Sequence, residues 1–429
     1  MPDKLHIGLF TDDFFPDSGG IGRSVQLQLT ELANAGHDVT LFAPRSHFTA
    51  PEIGKYARLP CWRVPLGPSY LCMLASTPLL ANQIAAKYPL DVIHTQTERG
   101  AIHLGAMLSR RLGIPHVHSF HSNYAGAYTT SLFETLFLSL AYLPYSSAAL
   151  KVFRHGLNDT PLRPSTLRNT DSPYDRLIFR PLAYMASQVT AFTSPAQFMV
   201  DAIDEASGGV VGARGYVVPS GVNDAFLRVE RQRPFSKTTR FISSGRLDGV
   251  KRIDAIIDAF ALLDDENAEL VIVGAGPREG ALKAQAKKVA KGKVNFVGHI
   301  GDTMKLAQTV ADADVFVLAS YHFDTQGMVL AEAAAVGTPI LYCDDRLHVG
   351  IGANALLTGH GPADLAQGMR ALAADPDRRI EMGKVGMALT DSLTSATMCE
   401  RYVAAYREAI AQFPTRGQAV GAEKISAPE

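Results

Sequence analysis

The chain has 429 residues, 47% hydrophobic and 19% charged, which is the composition of a globular protein long enough for two domains. Its 41 Lys and Arg residues nearly cancel its 42 Asp and Glu residues, which excludes a strongly basic nucleic-acid-binding protein and leaves only a local basic patch open. The four cysteines show no metal-binding spacing, and the first apolar run, residues 5–10, is too short for a signal peptide. We therefore expect a cytoplasmic protein with reduced cysteines that binds no nucleic acid.

The N-terminal segment predicts a strand over 4–10, a loop over 11–20 and a helix over 21–35, followed by a strand over 38–43. The loop ends in Gly19 and Gly20. A glycine pair at the start of a helix allows backbone N–H groups to approach a phosphate with no Cβ in the way. Its spacing is not that of the dinucleotide-binding GxGxxG motif, so on its own the pair is equally well explained as a plain turn.

Three histidines lie in or after the strand predicted over 115–120. His116 and His118 alternate along the strand and face one side of the sheet, where we expect them to be core residues. His121 follows the carboxyl end of the strand, where open parallel sheets bind their ligands. His121 is therefore a candidate site residue.

Residues 124–180 interrupt the alternation of strands and helices. Residues 132–150 are apolar and aromatic with Glu134 as their only charge, and residues 151–180 are net basic. An apolar face beside a basic stretch suits peripheral contact of 132–180 with an anionic membrane surface. Pro144 argues against a transmembrane helix. A buried helical hairpin followed by a solvated loop explains the same composition, so both interpretations stay open.

The Gly-rich stretch 206–214 predicts the joint between two domains. The first domain is then 1–206, with 124–180 as an insertion, and the second is 207–391. We expect a helix over 392–413 to pack back on the first domain, and the polar residues 414–429 to be disordered.

Two cations follow the strand predicted over 240–244, in the loop sequence GRLDGVK. A guanidinium and an ammonium in such a loop, here Arg246 and Lys251, can neutralise a diphosphate without a metal ion. For this loop alone, a solvated surface pair is an equally good interpretation.

The most informative segment is residues 313–345, ADVFVLASYHFDTQGMVLAEAAAVGTPILYCDD. It predicts a strand, a polar loop, an Ala-rich helix that opens at Gly327, and a second strand. Asp324 lies in the loop, and Glu332 lies about a turn and a half inside the helix. The two carboxylates could reach two ends of one ligand. The alternative is a helix-start residue and a surface helix charge.

This segment resembles the acidic signature of retaining nucleotide-sugar glycosyltransferases of family 4, in which seven residues separate two acids. The usual first acid is Glu, and this chain has Asp324 instead. Asp-Thr-Gln-Gly is similar to the Glu-Thr-Gln-Gly form of the subgroup that glycosylates diacylglycerol-type lipids. The GRLDGVK loop matches the family pattern Gly-Arg-Leu, three residues, Lys. The family's opening series is matched by Phe14, Pro16, Gly19, Gly20, Gly36, His37 and Val39.

The resemblance implies an α/β protein of the GT-B fold, with two facing Rossmann-like doubly wound domains and a cleft between them. It implies transfer of a hexose from a nucleotide diphosphate sugar to a hydroxyl, with retention at the anomeric carbon and no metal cofactor. The resemblance also implies that Gly19 and Gly20 line the donor diphosphate, that His121 lies near the reacting carbon, and that Arg246 and Lys251 stabilise the departing diphosphate. It implies further that Asp324 and the amides of Gly327, Met328 and Val329 hold sugar hydroxyls and phosphate, and that Glu332 binds the ribose.

Four functions are compatible with these patterns. The leading one is transfer to a membrane glycolipid or diacylglycerol by a cytoplasmic enzyme bound peripherally at the inner face of the cell membrane. A transferase for soluble or polysaccharide acceptors comes second. A nucleotide-sugar epimerase and a non-catalytic sugar-nucleotide-binding protein are more remote. Neither the donor's base nor its hexose follows from the sequence.

Overall fold

The computed structural model describes residues 4–13, 19–45, 53–63, 72–129, 132–152, 160–167, 172, 174–234, 237–289 and 293–413. Two compact units divide the chain. The first comprises Met1–His121, Phe133–Val218 and Met398–Glu429, and the second comprises Ser122–Leu132 and Pro219–Thr397. Phe14, Pro16 and the tail 414–429 lie outside the described residues.

The sheet of the first unit has seven parallel strands in the order β3-β2-β1-β6-β7-β8-β9, and β4 pairs with β5 in a separate antiparallel hairpin. The strands are β1 His6–Phe10, β2 Asp38–Pro44, β3 Lys55–Leu59, β4 Cys61–Arg63, β5 Cys72–Leu74, β6 Val92–Thr95, β7 His116–Ser119, β8 Ala191–Ser194 and β9 Gly215–Val217.

Among the described residues of this part of the chain, seven α-helices accompany these strands. They are α1 Gly19–Asn34, α2 Pro78–Lys87, α3 Gly100–Leu112, α4 Leu132–Phe137, α5 Leu143–Val152, α6 Asp175–Ser187 and α7 Gln197–Ser207. A π-helix, Leu138–Tyr142, joins α4 to α5, and Tyr124–Thr129 forms a 3-10 helix.

Local sequence explains several element ends. Thr77 caps α2 by accepting a hydrogen bond from the N–H of Leu80, 3.2 Å away, and Pro78 occupies the first helical position, where its missing N–H costs nothing. Gly113 ends α3 at φ 67°, a left-handed conformation that glycine adopts without strain. The central strands β6 and β7 are buried along their whole length, as expected for a parallel sheet covered on both faces.

The first unit extends further along the chain than predicted. We placed its end at residue 206, but β9 pairs in parallel with β8, with Gly215 opposite Phe192. The Gly-rich stretch therefore connects α7 to the last strand of the same sheet, and the unit continues to Val218.

The C-terminal helix, α15 Ser395–Gln412, contributes to the core of the first unit. Tyr402 and Tyr406 are buried there among apolar residues that include Leu5 and Ile7. The polar face of the same helix carries residues such as Arg407 toward solvent.

The second unit has a six-stranded parallel sheet in the order β12-β11-β10-β13-β14-β15. Its strands are β10 Thr239–Ser244, β11 Ala268–Val273, β12 Val294–Gly298, β13 Val315–Leu318, β14 Ile340–Tyr342 and β15 Ala355–Leu357. Its helices are α8 Asp224–Leu227, α9 Ile253–Leu263, α10 Glu279–Val289, α11 Thr303–Ala311, α12 Met328–Ala335, α13 Pro362–Ala374 and α14 Pro376–Leu389.

Both large sheets reverse their strand order once. In the first unit the reversal lies between β1 and β6, and in the second it lies between β10 and β13. The loops that leave the carboxyl ends of two such strands diverge, and the crevice between them is where open α/β sheets bind ligands. Within the described residues, no helix is both long enough and apolar enough to cross a membrane.

Candidate active site

The loops after β10 and β13 meet in an ion pair at the reversal point of the second sheet. The Nζ of Lys251 lies 2.8 Å from Oδ1 and 2.7 Å from Oδ2 of Asp324, although 73 residues separate the two in sequence. Both side chains are partly buried, with exposed fractions of 21% and 15%. The predicted cation and the predicted first acid therefore share one place in the fold.

Arg246 lies in the same loop as Lys251 but faces solvent more openly. Its Nε donates a hydrogen bond to Asp248, and its side chain keeps 49% of its surface exposed. Asp248 also accepts hydrogen bonds from the N–H groups of Val250 and Lys251, at 3.0 and 3.3 Å. One carboxylate thus fixes the turn that carries both predicted cations, because it binds the backbone of one and the side chain of the other.

Glycines in the loop after β11 allow the cation-bearing loop to pack closely against it. A Cβ on Gly274 would lie 1.9 Å from the carbonyl oxygen of Gly245, and one on Gly276 would lie 2.4 Å from that of Leu247. The two loops are also joined by the N–H of Leu247, which donates to the carbonyl of Ala275 at 3.0 Å. Any larger residue at either glycine would displace the loop that carries Arg246.

Helix α12 begins at Met328, a few residues after Asp324, with Gly327 as its N-cap at φ 67° and no side chain capping it. The first backbone N–H groups of a helix have no intrahelical acceptor, so those of Met328 and Val329 can donate hydrogen bonds to an anion at the start of α12. Glu332, at 6% exposure, is buried on this helix, so the alternative of a surface charge is wrong.

The loop between β13 and α12 is held by contacts that the sequence did not reveal. The side-chain amide of Gln326 binds the backbone of Ser220 twice, at 2.8 and 3.1 Å. His322 adopts a left-handed φ of 63°, which is costly for a non-glycine residue. Its N–H donates to Asp344 at 2.6 Å, and its carbonyl accepts from Asn123 at 2.8 Å. These contacts over-determine the loop conformation around Asp324.

The predicted glycine pair begins α1, two residues earlier than expected. Gly19 has a left-handed φ of 62° and no atom within 4 Å of where a Cβ would stand, and both glycines are exposed. This end of α1 follows β1, one of the two strands at the reversal point of the first sheet. Residues 14–18, immediately before it, lie outside the described part of the chain.

His121 follows β7 in the first unit, as predicted. Its Nε2 lies 2.7 Å from Oε1 of Gln96, which follows the neighbouring strand β6. Burial lowers the pKa of His121 to about 4, although the carboxylate of Glu98 acts in the opposite direction. The imidazole is therefore neutral at neutral pH. His116 and His118 are core residues, as expected, and both contact the hydroxyl of Thr95, at 2.8 and 2.7 Å.

A buried charged cluster at the reversal point of the first sheet was missed by the sequence analysis. Asp12 and Asp13 follow β1, and Glu98 and Arg99 follow β6. Arg99 forms an ion pair with Asp13, and Asp12 accepts hydrogen bonds from Thr97 and from the backbone. Burial raises the pKa of Asp12 to about 6, while Arg99 opposes the shift. The signal was the Asp-Asp pair directly after a buried strand.

The sequence Asp312-Ala313-Asp314 has the Asp-x-Asp spacing of a metal-binding motif, but it joins α11 to β13 and its carboxylates bind protein groups. Asp314 forms ion pairs with Arg231 and Arg233, at 2.5 and 2.7 Å. Asp312 accepts hydrogen bonds from the backbone N–H groups of Gln232 and Arg233. Both carboxylates thus fasten the non-strand segment 231–233 to the edge of the second unit where β13 begins.

Two doubly wound units, with an acid and cations at one reversal point, define a nucleotide-sugar transferase class, and comparison with known families agrees. The model described as Glycosyltransferase Family 4 matches residues 18–226, and the model described as Glycosyl transferases group 1 matches 227–387. The chain belongs to the family 4 glycosyltransferases. It is a retaining hexosyltransferase of the GT-B fold that uses a nucleotide sugar.

Relatives with assigned names fall in the same class. Alpha-monoglucosyldiacylglycerol synthase of Streptococcus pneumoniae is 28% identical over 79% of this chain and 70% of its own length. The enzyme of the same name from Acholeplasma laidlawii is 22% identical over 79% of this chain and 80% of its own length. Glycogen synthase of Mycobacterium tuberculosis is 24% identical over 83% of both chains.

Solved structures share the fold. The superposition with HepE of Anabaena in complex with UDP covers 94% of this chain and 100% of HepE, at a TM-score of 0.65 and 16% identity. WaaG, a glycosyltransferase of lipopolysaccharide biosynthesis, covers 92% of this chain with 98% of its own, at a TM-score of 0.60 and 15% identity. At these identities the likeness shows the fold alone.

Proposed function

We propose that the protein transfers a hexose from a nucleotide diphosphate sugar to a hydroxyl of a membrane glycolipid or diacylglycerol. The observation that carries the donor half is the Lys251–Asp324 pair at the reversal point of the second sheet. The observation that carries the acceptor half is an exposed apolar surface on residues 133–145. Two relatives named for the synthesis of a glucosyl diacylglycerol support the acceptor class.

In the donor half, Arg246 and Lys251 neutralise the diphosphate, which makes it a better leaving group as the sugar bond breaks. Asp324, which already holds Lys251, binds sugar hydroxyls beside that cation. The N–H groups of Gly327, Met328 and Val329 at the start of α12 complement the remaining phosphate charge and sugar oxygens. In this scheme two fixed cations supply the charge that a metal ion provides in other transferases, so no metal cofactor is proposed.

Other residues complete the proposed donor contacts. Glu332 accepts hydrogen bonds from the ribose, and Gly19 and Gly20 allow the backbone to approach the diphosphate. His121 lies beside the reacting carbon. Because its imidazole is neutral, it contributes hydrogen bonding rather than a second positive charge.

The transfer itself needs no covalent enzyme intermediate. The acceptor oxygen bonds to the anomeric carbon on the face from which the phosphate oxygen departs. The acceptor's hydroxyl proton passes to that departing phosphate oxygen, so the products are the glycoside and the nucleoside diphosphate. Attack and departure on one face retain the configuration at the anomeric carbon, in agreement with the family.

The apolar surface supports the membrane interpretation of residues 132–150. Five large side chains on α4, the π-helix and α5 are exposed by 37–81% of their surface: Phe133, Leu136, Phe137, Leu140 and Tyr145. A buried hairpin would cover such residues, whereas a membrane interface accommodates aromatic and aliphatic groups of this size. Lys151 follows as an exposed cation suited to anionic headgroups. We therefore place the enzyme at the inner face of the cell membrane, bound peripherally.

Vesicle flotation combined with an acceptor panel tests this proposal. The full chain is expected to float with vesicles containing phosphatidylglycerol and diacylglycerol, and to glycosylate the diacylglycerol. The double variant Phe133→Ser, Leu140→Ser should lose flotation while it retains nucleotide-sugar binding. The control Leu262→Ser removes a half-exposed leucine from α9 of the second unit and should float like the unaltered protein.

The competing outcome is transfer to a soluble acceptor. One relative is named glycogen synthase, so the panel should include maltooligosaccharides. Transfer to these and to no vesicle lipid, together with flotation that the double variant does not change, would overturn the lipid acceptor and leave the donor half intact.

A further inference from the structure

Behind His121 lies a chain of hydrogen-bonded side chains that are almost completely buried. Gln96, Gln28, His94 and Tyr406 each expose 1% of their surface or less. They come from the loop after β6, from α1, from β6 itself and from α15. A buried polar chain of this length is costly unless every donor meets an acceptor, and here each link is made.

The links run in series from His121. Its Nε2 lies 2.7 Å from Gln96 Oε1, and Gln96 Nε2 lies 2.8 Å from Gln28 Oε1. Gln28 Nε2 then reaches the hydroxyl of Tyr406 at 2.7 Å and Nδ1 of His94 at 2.9 Å. Tyr406 closes the set, because its hydroxyl lies 2.7 Å from the same His94 nitrogen.

Such a chain has a direction, since an amide donates only through nitrogen and accepts only through oxygen. Gln96 gives its N–H to Gln28, so the oxygen that it turns to His121 can only accept. The proton of His121 must therefore sit on Nε2, which leaves Nδ1 as an acceptor.

The hydrogen bonds at the other end of the chain, around His94, also have a fixed donor-to-acceptor direction. Gln28 uses its nitrogen toward His94, so Nδ1 of His94 accepts and its Nε2 carries the proton. That Nε2 lies 2.7 Å from Ser119 Oγ, which in turn lies 2.6 Å from Thr193 Oγ1. Reversing either glutamine amide alone would bring two donors or two acceptors together in a buried place, so the amides and the histidines that they contact can reverse only together.

We propose that Gln96 is a positioning residue that, through Gln28 and Tyr406, holds His121 as its Nε2–H tautomer with Nδ1 as the accepting nitrogen. Only one part of this inference rests on the proposed function, namely that the group donating to Nδ1 during transfer is a substrate hydroxyl. The tautomer itself follows from the chain of contacts.

Burial keeps the His121 ring neutral despite the carboxylate of Glu98 near it. Burial lowers its pKa, Glu98 opposes that shift, and His118 and His94 interact with the ring electrostatically. A neutral ring has one donor and one acceptor nitrogen, so the choice between them decides what His121 can do. With the proton on Nε2, Nδ1 cannot donate to a phosphate oxygen.

The direct test reads the proton position by NMR. The full chain is labelled with 15N-histidine, and the His121 signals are assigned by their loss in His121→Gln. The expected result is a protonated Nε2 and an unprotonated Nδ1. A protonated Nδ1 would mean that the whole chain runs in the opposite direction, which overturns the inference.

Variants then connect the tautomer to catalysis. Gln96→Met keeps the length of the side chain but replaces the amide by a thioether, which cannot donate and accepts hydrogen bonds only weakly. We expect mixed His121 tautomers and a kcat about tenfold lower, the effect of one lost buried hydrogen bond, with KM for the nucleotide sugar within about twofold. Tyr406→Phe acts three links away from His121 and should lower kcat about threefold. The control Tyr216→Phe alters a tyrosine packed on the same core outside the chain and should change neither quantity.

The possible failures can be told apart. If His121→Ala keeps full transfer activity, the proposed role of His121 in the reaction is wrong, whatever its tautomer. If His121→Ala abolishes transfer but Gln96→Met leaves both tautomer and kcat unchanged and lowers only stability, the chain is purely structural and the inference is wrong.

Discussion

The two units share a strand topology around their reversal points but differ in how far the side chains there are withdrawn from water. In the second unit the loops carry full charges at partly open positions, with Arg246 half exposed and Lys251 paired with Asp324. In the first unit the charged groups at the reversal point are largely buried, as in the pair of Asp13 and Arg99, and after the next strand, β7, the neutral His121 ends a chain of amides and hydroxyls. One fold can therefore provide both charge neutralisation and neutral hydrogen bonding, depending on how far the carboxyl end of each sheet is withdrawn from water.

The largest effect is expected from removing Lys251, the partly buried cation of the second unit. Lys251→Ala should lower kcat/KM for the nucleotide sugar by about 10²–10³, because a positioned charge at the leaving group is lost and Asp324 is left without its cation. Steady-state kinetics measure this. Lys283→Ala, which removes an exposed lysine paired with Glu279 on α10, is the matched control and should be neutral. Equal losses in the two variants would contradict the special role of Lys251.

The acid of the same pair should show a smaller effect. Asp324→Asn keeps the shape but removes the charge, and we expect kcat/KM to fall about tenfold, as for the loss of one charge-assisted hydrogen bond. Asp324→Glu restores the acid more usual in the family and should stay within about threefold of the unaltered enzyme. If Asn were tolerated better than Glu, the side chain would act through its size rather than through its charge.

The first unit can be made to resemble the second by adding charge beside its histidine. Gln96→Glu should raise the pKa of His121 from about 4 toward its ordinary value, because a carboxylate stabilises the imidazolium. His121 then becomes protonated at a higher pH, so the acid limb of the pH–kcat profile shifts to higher pH while activity near pH 8 changes little. An unshifted acid limb would show that the charge of His121 does not matter.

Acid should also loosen the two units unequally. Burial lowers the pKa of His94, His116 and His121, so between pH 7 and 5 the unfolded chain binds protons that the folded first unit does not, and stability falls. The raised pKa values of Asp12 and Asp13 oppose this only in part, chiefly below pH 6. In the described residues of the second unit, the groups whose pKa is shifted have ordinary pKa values outside pH 5–7. They are Asp314, Tyr342, Cys343 and Arg379.

Hydrogen exchange followed by mass spectrometry at pH 7 and pH 5, corrected for intrinsic rates, separates the units. Peptides from β6 and β7 should lose more protection on acidification than peptides from β10 and β13. His116→Gln removes one of the three titrating groups and should reduce that loss. The same loss in both units would show that the buried histidines do not set the acid response.

Much of the second unit's site could be predicted from the sequence because its signals are local. A cation loop after one strand and an acid before an Ala-rich helix are readable within short windows, and the family resemblance related them to each other. The contact between Lys251 and Asp324 still depends on β10 lying beside β13, which the order of elements along the chain does not state.

The first unit's site was harder to predict because its contacts join distant segments. The contacts of Gln96, Asp12 and Arg99 can be inferred only when β1 is known to lie next to β6. Tyr406 meets Gln28 across 378 residues of sequence. The domain boundary was misplaced for a related reason, since a Gly-rich stretch marks a loop but does not reveal that the next strand returns to the same sheet.

The most direct test is equilibrium binding of nucleotide diphosphate sugars by calorimetry, with uridine and guanosine donors, to the full chain and to the double variant Arg246→Ala, Lys251→Ala. The unaltered protein should bind one donor type, and the double variant should bind it at least 100-fold more weakly. Lys283→Ala should bind it normally. An unchanged Kd in the double variant would show that the diphosphate is held elsewhere, and the account of the second unit's site would be wrong.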